Sequence, residues 1–414
     1  MPRETLVPEV FGALQGVRIL STGSLIAQPF AAVLAAQMGA EVIQVERPGS
    51  GDAVWREVGL RIPASNGTDP DPSTSWLAER RNEFNVTLDM STADGRELFL
   101  EMAARAEIWM ESSKPGTYDR WDLSDDVVHA RNPSLVICHV SGYGQSGEPS
   151  YLGRASYDMI GQAFGGLMYQ TGFPEPDPPL RASPWTADYI TALFCLSSSL
   201  AGLVHARETG EGQSIDLSQF EAIHALLAGT MLEYFQLDSV RERSGNKAPA
   251  FQPYDVFRAS DGWVVIAAIG TLFDKVCRVI GLDPEDPKWA AARLDVNEVH
   301  GLEFDALLRG WAESRTMAQA VDEMNEAGVA CSPVLNARDS ANDPHFQARG
   351  IHIEWDDEQV GRLKGVGAVP KFSKTPQQIW RGSAALGADN DRIYGDLLGR
   401  DAEQLQELRD AGVV

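Results

Sequence analysis

Short apolar runs alternate with helical patterns through the first half of the chain. Val17–Leu20 is apolar, with Gly16 before it and Gly23 after it. Pro29–Met38 carries Ala, Leu and Val at helical spacing and stops at Gly39; Glu41–Val45 then reads as a second strand. Strand, helix and strand within about thirty residues predict a βαβ unit and a parallel sheet. The alternation continues with a strand at Asn85–Leu88, a helix at Thr92–Ala104 and a strand at Ile108–Met110. A helix at Leu123–Ala130 and a strand at Leu135–Val140 follow. Helices are predicted at Asp158–Tyr169, Thr186–Arg207 and Gln219–Gln236, with a strand at Ser214–Leu217.

The pattern changes after Arg241–Pro253, a stretch of Gly, Lys, Asn and Pro that reads as a linker or loop. Tyr254–Arg258 and Trp263–Ala268, joined through Asp261-Gly262, predict a hairpin. Short helices at Leu272–Ile280, Glu303–Ala312 and Met317–Ala327 give an α+β character. A strand pair at Ile351–Trp355 and Arg362–Val366 and two closing helices, Asn390–Leu398 and Ala402–Ala411, complete the pattern. The fold class is α/β. The change of character after Arg241–Pro253 suits a smaller second domain of α+β kind.

Composition narrows the partners. The 414 residues carry a formal charge of −24, which argues against nucleic acid, since phosphate backbones need a basic surface. A small phosphorylated ligand needs only a few local cations. The four cysteines, Cys138, Cys195, Cys277 and Cys331, form no CxxC pair, so neither a metal knuckle nor a disulfide framework is expected. The apolar stretch Thr186–Val204 is interrupted by Asp188 and Ser197–Ser199, which favours a buried helix over a membrane span. Met1–Gly12 lacks the basic and apolar regions of a signal peptide, and a cytoplasmic location is expected.

Three segments offer chemistry. Thr171–Pro179 is a proline-rich turn with two carboxylates, Glu175 and Asp177; a carboxylate held in a stiff turn can attack a thioester. Arg47, Lys114 and Arg120 each follow a predicted strand, so they are candidates for an anion site at the carboxyl edge of the sheet. Ser141–Gly147 is a glycine turn whose amides suit an oxyanion. There is no GxGxxG behind the first strand, no GxxxxGK[ST], no GxSxG and no HExxH.

An ordered set of segments resembles the family III CoA-transferases, the group of formyl-CoA and carnitine CoA-transferases. The matching stretches run from GVRIL (16–20) and AQPFAAVLAAQMGAEVIQVERPGSGD (27–52) through NVTLDMSTADGREL (85–98), EIWMESSKPGTYDRW (107–121) and NPSLVICHVSGYGQSG (132–147). They continue with YDMIGQAFGGLM (157–168), TADY (186–189), ETGEGQSIDLSQFEAI (208–223), PHFQARGI (344–351) and KGVGAVPKFSKTPQQIWRG (364–382), the last resembling the carnitine branch most.

The resemblance implies a Rossmann-like large domain built from both chain ends, residues 1–225 and 331–414, an inserted small α+β domain, 226–330, and an interlocked homodimer. It implies CoA moving from an acyl-CoA donor to a small carboxylic acid through an acyl anhydride and an enzyme-CoA thioester. Coenzyme A is then a substrate rather than a resident cofactor, and no metal is involved. By position, Ile26, Ala27, Gln28, Arg47, Lys114, Arg120, Ser141 and Gly142 are expected at the CoA site, and Tyr143 in the active site. Glu175 and Asp177 both remain candidates for the nucleophile, since Glu175 is three residues after Gly172 and Asp177 has the family's residue type. Related racemases pair a His with a second acid. Here Ser156-Tyr157-Asp158 replaces the segment that holds that His, and Asp188, which matches the second acid, is read as a helix-capping or structural residue. An α-methylacyl-CoA racemase and a non-catalytic CoA-binding subunit are the competing readings.

Overall fold

The computed structural model describes residues 5–65, 67 and 70–414; residues 1–4 of the N-terminal stretch lie outside them. The chain divides into two compact units. The first takes the described residues up to Leu167 together with Ala182–Ala228 and Ala348–Val414; the second takes Met168–Arg181 and Gly229–Gln347. The return to the first unit therefore falls at Ala348 rather than at 331. The segment 168–181, expected in the large domain, joins the second unit.

The first unit is built on six parallel strands: β1 (Arg18–Ser21), β2 (Glu41–Glu46), β3 (Glu83–Thr87), β4 (Ile108–Glu111), β5 (Val136–Ser141) and β6 (Ser214–Ser218). Their order is β3-β2-β1-β4-β5-β6. Leu20 stands between Ile43 and Trp109, and Cys138 between Met110 and Ile215. The helices that position the site are α1 (Pro29–Gln37), α2 (Thr74–Glu79), α3 (Ala93–Ala103), α4 (Thr117–Arg120), α5 (Asp125–Arg131), α6 (Asp158–Phe164), α7 (Leu167–Gln170), α8 (Thr186–Thr209) and α9 (Gln219–His224).

Neighbouring strand residues point to opposite faces, and here both faces are covered. Ile19, Ile108 and Val136 pack with the alanines of α1 and with Ala192 and Cys195 of α8. Leu20, Trp109 and Ile137 pack on the other side with Leu98, Phe99 and Met102 of α3. This explains the near-continuous apolar runs. It also explains α1, which is apolar all round because it is buried all round.

Two predicted helices are broken. Asp158–Tyr169 splits into α6 and α7 at Gly165-Gly166, where Gly166 takes φ +93°. Gln219–Gln236 splits into α9 and Thr230–Leu237, with Ala228 left-handed at φ +49°. Helix α8 is long and apolar enough to cross a membrane by length and composition, yet ten of its residues are buried, Ala187, Asp188, Thr191, Cys195 and Ser199 among them.

The C-terminal segment closes the β3 edge. Asn85 N donates to Asp389 Oδ2 at 2.8 Å, Thr87 N to Asn390 Oδ1 at 2.9 Å, and Tyr394 Oη–H to the Thr87 carbonyl at 2.8 Å. The closing helix predicted at Asn390–Leu398 is a widened turn at Asp391–Leu397, in which Leu398 N reaches back five residues to the Ile393 carbonyl.

The second unit has a three-stranded antiparallel sheet: β7 (Tyr254–Arg258), β8 (Trp263–Ala267) and β9 (Ala330–Pro333). Phe257, Val264, Ile266, Phe273, Phe304, Leu308 and Met324 form its core. Strand β9, which is not among the strands expected from the sequence, is a short edge strand with alternating exposure.

Trp109 is fully buried, with Phe99 and Tyr118 edge-on at 4.8 and 4.7 Å and its Nε1–H on Thr22 Oγ1 at 2.9 Å. Trp109→Ala is expected to destabilise the first unit by about 3–5 kcal/mol. The check is urea unfolding followed by circular dichroism, where an unchanged midpoint would contradict this packing.

Candidate active site

Strand order reverses between β1 and β4, so the chains leaving their carboxyl ends diverge and open a crevice. A cavity of about 290 Å³ lies there, wholly within the first unit. Its walls come from the loop after β1 (Ser24, Leu25, Ala27), the loop after β4 (Ser112–Pro115), the turn after β5 (Ser141–Gly144) and Gly153–Tyr157. Asp188 and Gln219, from the first turns of α8 and α9, complete it.

The turn after β5 depends on glycine. A Cβ at Gly142 would stand 2.2 Å from Ser156 Cβ, so only glycine lets the two backbones meet there. Gly144 takes φ +91°, and its N–H donates to Ser141 Oγ at 2.8 Å. The Tyr143 ring packs against Phe164 at 5.1 Å and Tyr151 at 5.7 Å, which fixes one cavity wall.

Asp188 is the acid of this cavity. It is 8% exposed at the third position of α8, where first-turn N–H groups favour a negative charge. Asp158 of α6 caps that helix from outside: its Oδ1 accepts from Ala187 N at 2.8 Å and its Oδ2 from Gln162 Nε2 at 2.8 Å. Gln219 Nε2 donates to Asp188 Oδ1. Burial, and then the Asp158 charge, push the Asp188 carboxyl up to about 7, against the pull of the Gln219 bond. The following residue, Tyr189, donates its hydroxyl to Glu79.

The expected residues separate in space. Ala27, Lys114, Ser141, Gly142 and Tyr143 line the Asp188 cavity. Arg47 lines an adjoining cavity with Glu46, Asp52, Met90 and Trp121, and Ser24 and Ser113 belong to both. Arg120 lines neither; it is exposed and bonds Thr117 Oγ1 at 3.0 Å. Ile26 is buried with Trp55 and Trp76. Gln28 is fully buried, and its amide meets Ser21 Oγ at 3.1 Å. Neither Ile26 nor Gln28 faces these cavities.

Glu175 and Asp177 stand in the second unit, on an exposed loop. The Glu175 side chain is 78% exposed and its Oε1 pairs with Arg243 at 2.6 Å. The buried Arg243 guanidinium also bonds the carbonyls of Tyr169, Phe173 and Asp177 at 3.2, 3.0 and 3.2 Å. Arg243 thereby shapes the loop that bears both carboxylates. Within the first unit, the acid that lines the cavity is Asp188, with Gln219 beside it. Their signals in the sequence are modest: a lone acid at the head of a long apolar helix, and a polar residue directly after a parallel strand.

One more charge cluster supports the site. His139 of β5 meets Glu111 Oε1 through Nδ1 at 2.7 Å and Asp125 through Nε2 at 3.1 Å. Glu111 in turn accepts from Ser113 N, holding the loop that bears Lys114. Burial opposes a charge on the ring, but the two carboxylates outweigh it and push His139 up to about 10.

A buried acid and a glycine turn border a cavity at the carboxyl edge of a doubly covered parallel sheet, the edge at which α/β folds hold their ligands. The chain belongs to CoA-transferase family III, whose profile matches residues 14–390. It is 34% identical over 412 residues to the bile acid CoA-transferase BaiK of Clostridium scindens, covering 97% of this chain and 90% of that one. It is 34% identical over 407 residues to the succinyl-CoA–D-citramalate CoA-transferase of Chloroflexus aurantiacus (97% and 98% covered). Identity is 32% over 410 residues to the L-carnitine CoA-transferase of Proteus mirabilis (97% of each). A CAIB/BAIF family protein from Brucella suis superposes with a TM-score of 0.81 at 27% identity, covering 94% of this chain and all of that one.

The His139 cluster has a pH signature. The folded pKa lies above the ordinary 6.5, so the stabilisation is complete below about pH 6.5 and fades as pH rises through about 10. The gap in urea midpoint between wild type and His139→Gln should shrink across that window. A gap that stays constant would show the ring to be neutral.

Proposed function

We propose that this protein transfers coenzyme A from an acyl-CoA to a free carboxylic acid, with Asp188 as the carboxylate that carries first the acyl group and then CoA. The observation behind this reading is the placement of Asp188. It is a buried acid in the switch-point cavity, facing the Gly142 turn and Lys114. A carboxyl near neutrality is partly ionised at working pH and more basic than a solvated one, so it is the better nucleophile of the two.

The steps balance within the site. An Asp188 oxygen attacks the thioester carbonyl, the C–S bond breaks and CoA leaves as thiolate. The thiolate attacks the aspartyl carbonyl of the resulting anhydride, freeing the donor acid and leaving an aspartyl-CoA thioester. The acceptor carboxylate attacks that thioester and releases CoA thiolate. The thiolate then attacks the acyl carbon of the new anhydride, giving the new acyl-CoA and free Asp188. The Gly142–Gly144 turn faces the oxyanions, and Lys114 and Arg47 suit the phosphates of CoA. The relatives act on bile acid, D-citramalate and carnitine by name, so the acceptor here is a carboxylic acid to be found by screening.

A homodimer fits the same reading. Leu193, Phe194 and Val204 of α8 and Ile160 of α6 are exposed apolar side chains of the first unit, which a second copy would cover. Light scattering should give twice 45.1 kDa, and a monomer at micromolar concentration would exclude this assembly.

Incubation with acyl-CoA followed by mass spectrometry tests the chemistry. Asp188→Asn should lower turnover by about a thousandfold or more and leave no adduct. Glu175→Gln and Asp177→Asn should keep most of it. Loss in either loop variant with an active Asp188→Asn would return the nucleophile to the Thr171–Pro179 loop. Exchange of the α-hydrogen for deuterium without an acceptor acid would instead indicate the racemase.

A further inference from the structure

Gln219 has no role in the reaction as described, yet it is 4% exposed and makes the sole side-chain hydrogen bond to the Asp188 carboxylate among the described residues. Its other end is fixed: Ser156 Oγ donates to Gln219 Oε1 at 3.0 Å. The fold makes room for it, since a Cβ at Gly161 of α6 would lie 2.5 Å from Gln219 Oε1. A carboxylate only accepts, so the amide must turn Nε2–H toward Asp188, and the Ser156 hydroxyl takes the oxygen.

Resting on the assignment of Asp188 as nucleophile, we propose that Gln219 is a positioning residue, oriented by Ser156, that holds Oδ1 of the ionised Asp188 and leaves Oδ2 to meet the thioester carbonyl. Asp188 Oδ2 has no protein hydrogen bond among the described residues, whereas Oδ1 is engaged. A hydrogen bond to the charged form stabilises that form, so Gln219 opposes the burial that would neutralise the acid.

The other charges near Asp188 are accounted for. Asp158 of α6 and Glu79 at the end of α2 both disfavour ionisation, and Asp158 is spent on the α8 backbone and Gln162. From β5, His139 is held by Glu111 of β4 and by Asp125. Asp216 of β6 binds Gln145 N, and from α9 Glu221 binds Ser218 and His224 the Gly165 carbonyl. Helix α1 has no charged side chain. Lys114 and Arg154 line the same cavity. Among the described residues, Gln219 is thus the one neutral donor on the carboxylate itself.

The test is a carbon NMR titration of full-length enzyme labelled with 13C at the aspartate carboxyl, the Asp188 signal being the one missing in Asp188→Asn. Gln219→Met should raise the midpoint by about one pH unit, a tenfold change in acid dissociation. Ser156→Ala, which removes only the anchor of the amide, should raise it by less. The acid limb of the kcat/KM profile should move up with it for the fastest of acetyl-, succinyl- and butyryl-CoA. An unchanged midpoint in Gln219→Met overturns the proposal while leaving Asp188 as nucleophile if Asp188→Asn is inactive. An active Asp188→Asn overturns the parent assignment and this one with it.

Discussion

The site depends on one constraint: a parallel sheet buried on both faces has a reactive edge only where its strand ends meet solvent. Strands β1 and β4 are neighbours, but the chain runs outward from them in opposite directions. Their following loops therefore separate, and the turn after β5 borders the gap. The middle of the sheet is packed, with Leu20, Trp109 and Ile137 on one face and Ile19, Ile108 and Val136 on the other. The strand residues that reach the two cavities with polar groups, Glu46 and Ser141, stand at strand ends, and Gly142, Lys114, Asp188 and Gln219 stand on the loops and first helical turns beyond.

The acid illustrates how such an edge tunes a group. Its burial alone would neutralise it, and a second carboxylate, Asp158, lies one helix away. The helix start and the Gln219 amide act in the opposite direction. These opposing influences leave a carboxyl poised between its two protonation states, a setting that neither a solvated nor a wholly desolvated acid would reach.

Most of the sheet was legible in the sequence because each strand is a local apolar run, and βαβ spacing dictates parallel order. The helix breaks at Gly165-Gly166 and around Ala228 were harder to read, because the apolar pattern carries across them while only the backbone angles change. The site was legible in part. Lys114, Ser141 and Gly142 follow from their positions after strands, Ala27 and Tyr143 from the family resemblance, and all five meet in one cavity. Gln28 and Ile26 turn inward because neighbouring Gly23 and the Trp55–Trp76 cluster receive them, which only tertiary packing decides. The proline-rich acidic loop draws attention as a local motif, whereas Asp188 looks like an ordinary first-turn acid until α6 and α9 surround it. Burial is the signal that separates them, and burial is not local.

The seam along β3 bears on how the protein is made. Asn85 waits for a partner 304 residues later, Asp389, before its edge is closed. A ribosome releases β3 long before Asp389 and Tyr394 exist, so the nascent sheet carries an open edge through most of translation. That interval favours chaperone protection, and slowing the ribosome late in the message would lengthen the exposure more than slowing it early.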